Sequence, residues 1–315
     1  MKKVLFICGS LNQTTMMFKV AQELREFECW FSAYYAGGFV QWLAHRGMLD
    51  FTILGGQARR ATEAFFEENN LRIDYGGTKN HYDLVVTCSD LIVPENVRTR
   101  HLILVQEGML TPENGVYHIV RTLQLPRFLG NTSMTGLSDA YRRFCVASEG
   151  FKEIFIKKGV RPEKIEVTGI PNFDDLERHK ENDFPYRGYI LGATSCLREA
   201  WQYENRKAFI LKTLDVAGGR QLIFKLHPNE NKERARREIM RHAPDAIVFD
   251  SGNTNQMIAN CEVLVTKYSS VLLTALGLDK KVYSDLEPSV AALLRPLQNG
   301  GTSARNIAVI CREYL

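Results

Sequence analysis

Short apolar runs alternate along the whole chain with stretches in which apolar residues recur every three or four positions. In the first half, KKVLFICG (2–9) leads into TTMMFKVAQELREF, and FTILGG precedes QARRATEAFFEENN. YDLVVTCS (82–89), HLILVQEG (101–108), RFCVASEG (143–150) and KIEVTGIPNFDDL (164–176) continue the series. Runs of strand length without alternation, separated by helical stretches, predict a parallel sheet covered on both faces, because such strands have no solvated side. Trp30, Tyr34 and Tyr35 in CWFSAYYAGGF read as core, with a sugar-stacking platform as the alternative.

The rhythm breaks at ERHKENDFPYRG (177–188), a polar stretch with Pro185 and Gly188 that reads as a linker and hinge. It then restarts with YILGAT (189–194), LIFKLHP (222–228), AIVFD (246–250), VLVTKYSS (263–270) and KVYSD (281–285) as strands. Helices are expected at about 200–217, 230–242, 254–260 and 270–278. The tail GGTSARNIAVICREYL predicts a last helix capped by Thr302 or Ser303. The expected architecture is therefore α/β, with two Rossmann-like doubly wound domains of parallel sheet facing a cleft. The first spans 1–176 and the second 189–315, and packing of the last helix back on the first is left open. Ligands of such domains bind outside the carboxyl ends of the strands.

Composition narrows the function classes. With 40 basic and 36 acidic residues the net charge is only +4, and no basic block concentrates it, which argues against nucleic acid as a partner. Seven cysteines are scattered singly, several inside apolar runs, as expected of reduced core thiols rather than a disulfide frame. The opening MKKVLFICGSLNQ turns polar too soon for a signal peptide, and no run reaches the roughly 20 apolar residues of a membrane span. A cytoplasmic protein is expected, with peripheral contact at the inner face of the membrane left open.

Three polar clusters fall at expected strand ends in the second half: KLHPNEN, FDSGNTNQ (249–256) and TKYSSVLLTALGL (266–278). Ser269 and Ser270 stand where a strand turns into a helix, and the unpaired N–H groups of a helix start favour an anion. A plain N-cap role for Ser269 fits equally, and His227, before Pro228, also fits a turn residue. In the first half, Glu107 and Gly108 end a strand, where a carboxylate is placed to take a proton from a hydroxyl. A solvated turn glutamate is the alternative. The remaining histidines lack metal-ligand spacing and Asp174 and Asp175 are adjacent, so no metal site is expected.

KLHP followed by VTKYSSVLLTALGLDKKVYSD resembles the paired HP and SS motifs of bacterial GT-B transferases. This group includes CDP-glycerol glycerophosphotransferases, bacterial sialyltransferases and capsule Kdo transferases. VTGIPNFD (167–174) resembles the segment that closes the N-terminal domain of non-hydrolysing UDP-N-acetylglucosamine 2-epimerases, also GT-B proteins. The resemblance implies that His227, Ser269 and Ser270 hold the phosphate of a nucleotide-activated donor, CMP-, CDP- or UDP-linked, with Thr194, Pro228 and Lys267 completing that set. Many relatives carry Asp where this chain has Lys267. It further implies Glu107 as the base, since relatives carry an acidic residue or a histidine followed by glycine in a comparable place. Gly9 and Ser10 in the first turn, with His118 and Arg121, are the expected acceptor side, although helix-surface charge explains the latter two as well. A phosphate beside His227 is expected to favour the charged imidazole.

The expected function is thus a metal- and cofactor-independent transferase of a sugar or polyol phosphate in surface-glycan biosynthesis, acting on a glycan or lipid-linked acceptor. The alternatives are a UDP-sugar 2-epimerase-like enzyme and a non-catalytic GT-B protein that binds nucleotide or glycan.

Overall fold

The structure is a computed structural model that describes residues 1–199 and 202–315. The chain forms two compact units, Met1–Asp174 with Leu297–Leu315, and Asp175–Pro296.

The first unit runs β1 (Lys3–Cys8), α1 (Leu11–Gln22), β2 (Glu28–Ala33), α2 (Gly38–His45), α3 (Gly56–Glu68), β3 (Leu84–Thr87) and α4 (Glu95–Arg98). It continues with β4 (His101–Val105), α5 (Gly115–Thr122), β5 (Arg143–Val146), α6 (Glu149–Lys158) and β6 (Ile165–Val167). Its six strands form a sheet in the order β2-β1-β3-β4-β5-β6, every neighbouring pair parallel. Val4 to Cys8 and Leu84 to Thr87 are buried throughout, as strands covered on both faces must be.

One expected strand is absent and another takes its place. FTILGG is a turn: the Thr52 hydroxyl donates to Leu49 O and accepts from Leu54 N–H, which closes the backbone on itself. Asp50 Oδ1 accepts from Gly56 N–H, and Gly56 has φ +56 with no room for a Cβ, which would stand 2.0 Å from Asp50 O. The place beside β1 belongs to β2, the stretch ECWFSA, which puts Trp30 in the sheet while Tyr34 and Tyr35 follow it into the core.

The second unit runs β7 (Ile190–Ala193), α7 (Arg206–Ala217), β8 (Leu222–Lys225), α8 (Lys232–His242), β9 (Ile247–Phe249), α9 (Thr254–Asn260) and β10 (Val263–Thr266). α10 (Val271–Gly277), β11 (Lys281–Tyr283) and α11 (Pro288–Leu293) complete it. The strand order is β11-β10-β7-β8-β9, again parallel. Successive strand residues serve opposite layers: Ile190 and Phe224 pack with Phe209, Ile210 and Ile239 of α7 and α8. Leu191 and Ile223 pack with Met257, Ile258 and Ala275 of α9 and α10. α7 begins at Arg206, capped by the Asn205 side chain, later than the expected 200. Ala200 and Trp201, in the expected first turn, lie outside the described residues.

The stretch 177–188 does not stand apart as a linker. Asn182 and Asn260 exchange side-chain hydrogen bonds of 2.9 Å, Gly188 N–H donates to Asn260 O, and Phe184 packs on Tyr189 and Phe249. These contacts place it in the second unit, and the units divide at Asp174/Asp175 and Pro296/Leu297 instead. The closing helix α12 (Ser303–Arg312) belongs to the first unit, so the domain expected over 189–315 ends earlier. Buried Asp174 sets its start: Oδ2 accepts from Ser303 N–H at 2.8 Å, while its carbonyl accepts from Asn299 and Gly300 N–H. Thr302 occupies the N-cap position but its side chain makes no capping bond. At the far end Arg312 Nη2 donates to Glu23 O, beyond α1.

Candidate functional site

In the second unit, Ala193 on β7 pairs with both Lys225 on β8 and Thr266 on β10. The turns that carry Thr194 to Cys196, Leu226 to Asn229 and Lys267 to Ser270 therefore leave the sheet from one level. β7 is the first strand of this unit, and the chain winds from it toward β8 on one side and returns to β10 on the other. That makes β7/β10 the topological switch point, where open α/β sheets bind ligands.

His227 is fixed there by its neighbours. Asn229 N–H donates to its Nδ1 at 3.1 Å, so the neutral ring carries its proton on Nε2, which lies 3.8 Å from Cys196 Sγ. Burial holds the imidazole below its ordinary pKa, opposed by the nearby Glu230 carboxylate and reinforced by Lys225. Without a bound phosphate the surroundings thus favour the neutral ring, whose donor capacity comes from the tautomer.

Beneath the turn lies a buried ionic cluster. Glu230 Oε1 accepts from His227 N–H at 2.8 Å and from the Thr194 hydroxyl. Arg206 Nη2 stands 2.9 Å from Glu230 Oε2 and 2.9 Å from Glu204 Oε2, and also donates to Ser195 O. Thr194 is buried and its hydroxyl also accepts from His227 N–H, so it supports the turn from below and is not a phosphate ligand in this arrangement. Pro228 is exposed beside His227.

Ser270 takes the N-cap position of α10 with helical φ −63° and no side-chain capping bond, while the Ser269 and Ser270 carbonyls accept from Leu272 and Leu273 N–H. The Ser270 hydroxyl therefore makes no capping bond to the first turn of α10. Lys267 Nζ lies 3.4 Å from Asp285 Oδ2, so the residue that departs from the relatives' pattern has a carboxylate partner of its own.

In the first unit Glu107 is half-buried at the end of β4 and is no solvated turn residue. Its Oε1 accepts from Ser10 Oγ–H at 2.8 Å and its Oε2 from Gln13 Nε2–H at 2.6 Å. Ser10 is also the N-cap of α1, accepting from Gln13 N–H. Gly9 is buried and its N–H donates to Gln13 Oε1, which makes it part of the support for Glu107 and withdraws it from an acceptor. A Cβ on Gly9 would stand 2.5 Å from that oxygen and 2.7 Å from Ile53. Glu107 and Gln13 line a cavity of about 410 Å³ whose other walls are mainly apolar. His118 and Arg121 are exposed on α5, where Arg121 donates to the Tyr117 hydroxyl at 2.7 Å, and neither lines that cavity.

Sequence reasoning missed Cys196, Glu230, Arg206 and Gln13. Two had a local signal: Glu230 stands three residues after His227, and Ser10-x-x-Gln13 has capping-box spacing. Arg206 and Cys196 reach the site only through the pairing of β7 with β8.

No protein-family model and no curated protein sequence matches the chain. Solved structures do. A UDP-GlcNAc 2-epimerase from Neisseria meningitidis, bound to UDP-GlcNAc, superposes with a TM-score of 0.60 over 99% of this chain and 100% of its own, at 14% identity. MnaA of S. aureus, solved with UDP, gives 0.60 over 100% and 97%, at 11% identity. The wall teichoic acid polymerase TagF, as a variant soaked with CDPG, gives 0.53 over 99% and 88%, at 9% identity. The fold is GT-B. Both the transferase and the epimerase resemblances of the sequence converge on this fold, with the six- and five-stranded parallel sheets as its two domains. Among the described residues of this GT-B chain, no helix is long and apolar enough to cross a membrane.

Proposed function

We propose that this GT-B protein is a transferase that moves a sugar or polyol phosphate from a nucleotide-activated donor to a hydroxyl acceptor in surface-glycan synthesis. The observation that carries the reading is the His227 turn, with a donor tautomer fixed by Asn229 at the β7/β10 switch point. His227 Nε2–H, Ser269 and Ser270 stabilise the leaving phosphate, where negative charge grows in the transition state. Lys267 adds a cation once it leaves Asp285. Glu107, oriented by Ser10 and Gln13, removes the acceptor proton. The ligands printed for the neighbours, UDP-GlcNAc, UDP and CDPG, support a nucleotide-linked donor.

The reading needs neither metal nor cofactor, so turnover is expected to survive EDTA. Isothermal titration with CMP, CDP and UDP selects the nucleotide, and transfer from its conjugates is then assayed with and without acceptor. Glu107→Gln is expected to keep nucleotide affinity and to lower turnover at least a hundredfold, within the usual contribution of general base catalysis of about 10²–10⁴. Near-normal turnover of that variant removes Glu107 as base.

The second reading is epimerisation of a UDP-sugar, favoured by the TM-score of the Neisseria meningitidis epimerase, 0.60 against 0.53 for TagF. Interconversion of a UDP-sugar without any acceptor selects it. Binding without turnover in either assay selects a binding protein.

A further inference from the structure

We propose that the cavity of the first unit takes an apolar group of the acceptor, so that the hydroxyl delivered to Glu107 belongs to an amphiphile. The inference rests on Glu107 as base and adds the class of its substrate. The cavity, about 410 Å³, lies wholly within the first unit, and its volume falls in the range of about 300–1,000 Å³ that holds a small molecule. Leu43 of α2, Leu49 and Ile53 of the following turn, and Leu91, Ile92 and Phe128 form apolar walls. Glu107 supplies a polar group. Of the other polar side chains on the wall, Ser89 is bonded to Tyr34, Thr132 to Thr111 and Gln106 to Gly108 and Ala147, while Gln13 has both ends engaged, Oε1 by Gly9 and Nε2 by Glu107. Glu107 accepts one hydrogen bond on each oxygen and each retains a lone pair for a donor.

A bare sugar presents hydroxyls on every edge. Each hydroxyl set against Leu43, Leu91 or Ile92 gives up water and receives no partner, which costs affinity. A hydrocarbon or aromatic group gains by the same transfer. Phe39, which also lines the cavity, is exposed and stacks on Trp42 at 5.6 Å, while Arg46 lies over Trp42 at 4.9 Å. The cavity therefore opens beside an aromatic pair flanked by a cation. An acceptor that joins one apolar group to a hydroxyl-bearing head satisfies Glu107 and the walls together.

The test is isothermal titration of the full chain with methyl, butyl and hexyl β-glucosides below their micelle concentrations. Affinity is expected to rise by about fourfold for each added methylene that enters the cavity, from about 0.8 kcal/mol per buried CH₂. Leu43→Trp and, independently, Leu49→Trp fill the cavity and are expected to abolish the chain-length dependence, with thermal unfolding reporting that each variant is folded. Equal affinity for methyl and hexyl glucoside overturns the proposal, as does a dependence that survives both folded variants. Titration with UDP and CDP runs in parallel and keeps the two readings apart. Loss of nucleotide binding with the chain-length dependence intact removes the donor assignment alone, whereas the reverse removes the apolar subsite alone.

Discussion

The Asn229 hydrogen bond to His227 Nδ1 decides what the imidazole can do at neutral pH. A neutral ring with its proton on Nε2 is a donor without being a cation, and burial keeps it neutral. Affinity for a diester-linked donor, whose own charge is constant, is therefore expected to be flat between pH 7 and 8.5 and to change only below the ordinary imidazole value of about 6.5. His227→Gln, which keeps a neutral donor, should retain most of the affinity at pH 8. His227→Ala should lose roughly tenfold to a hundredfold, as expected for a hydrogen bond to a charged group worth about 1.5–3 kcal/mol. Calorimetric titration across the pH range checks both, and a steady decline of wild-type affinity from pH 7 to 8.5 with a flat Gln variant would restore the cation. Stability follows the same sign. Because the folded pKa lies below the unfolded one, the unfolded chain binds the extra proton, and this contribution is complete above about 6.5 and lost as pH falls toward the folded pKa. The chain showed His227, Ser269 and Glu107 as candidates because each sits where an apolar run breaks. It did not show the tautomer, the support that Thr194 gives the turn from below or the Arg206 cluster, since these depend on which turns adjoin, and adjacency is set by strand order rather than by chain order.

At the scale of elements, the α1 start joins backbone to chemistry. Gly9→Ala pushes Gln13 Oε1 away from the Gly9 N–H, and turning Gln13 away withdraws its amide from Glu107. The expected result is a loss of turnover larger than the loss of stability, with nucleotide affinity unchanged, read by parallel kinetics and denaturant unfolding. An activity loss matched by the same unfolding shift in nucleotide affinity would point to misfolding instead. Asp174→Ala removes the acceptor for Ser303 N–H at the start of α12 and is expected to destabilise the first unit by about 1–2 kcal/mol, the usual cost of a lost cap. Most strands were legible because a doubly covered strand is apolar at every position. The exception is instructive: FTILGG has the composition of a strand, but Asp50 and Thr52 bond locally to its backbone, while ECWFSA, more polar at its start, wins the sheet by pairing with β1. An edge strand half open to solvent carries a weaker apolar signal than the turn that follows it.

For the whole molecule, two separate sheets with separate cores mean that unfolding is not obliged to be a single transition. Scanning calorimetry is expected to resolve two events, and a nucleotide at a hundred times its Kd should stabilise the one belonging to the second unit by about 2.7 kcal/mol. Asp174→Ala should lower the other. A nucleotide that shifts only the transition sensitive to Asp174→Ala would place the phosphate on the wrong unit. The discontinuity of the first unit has a consequence for the order of events on the ribosome. Its closing helix, Ser303–Arg312, is translated after the whole of Asp175–Pro296, so the second unit is complete as a contiguous stretch while the first still lacks its last element. Until α12 emerges, the apolar faces that meet Ile307, Ala308 and Cys311 are uncovered, and the nascent first unit is the part that a holding chaperone would meet.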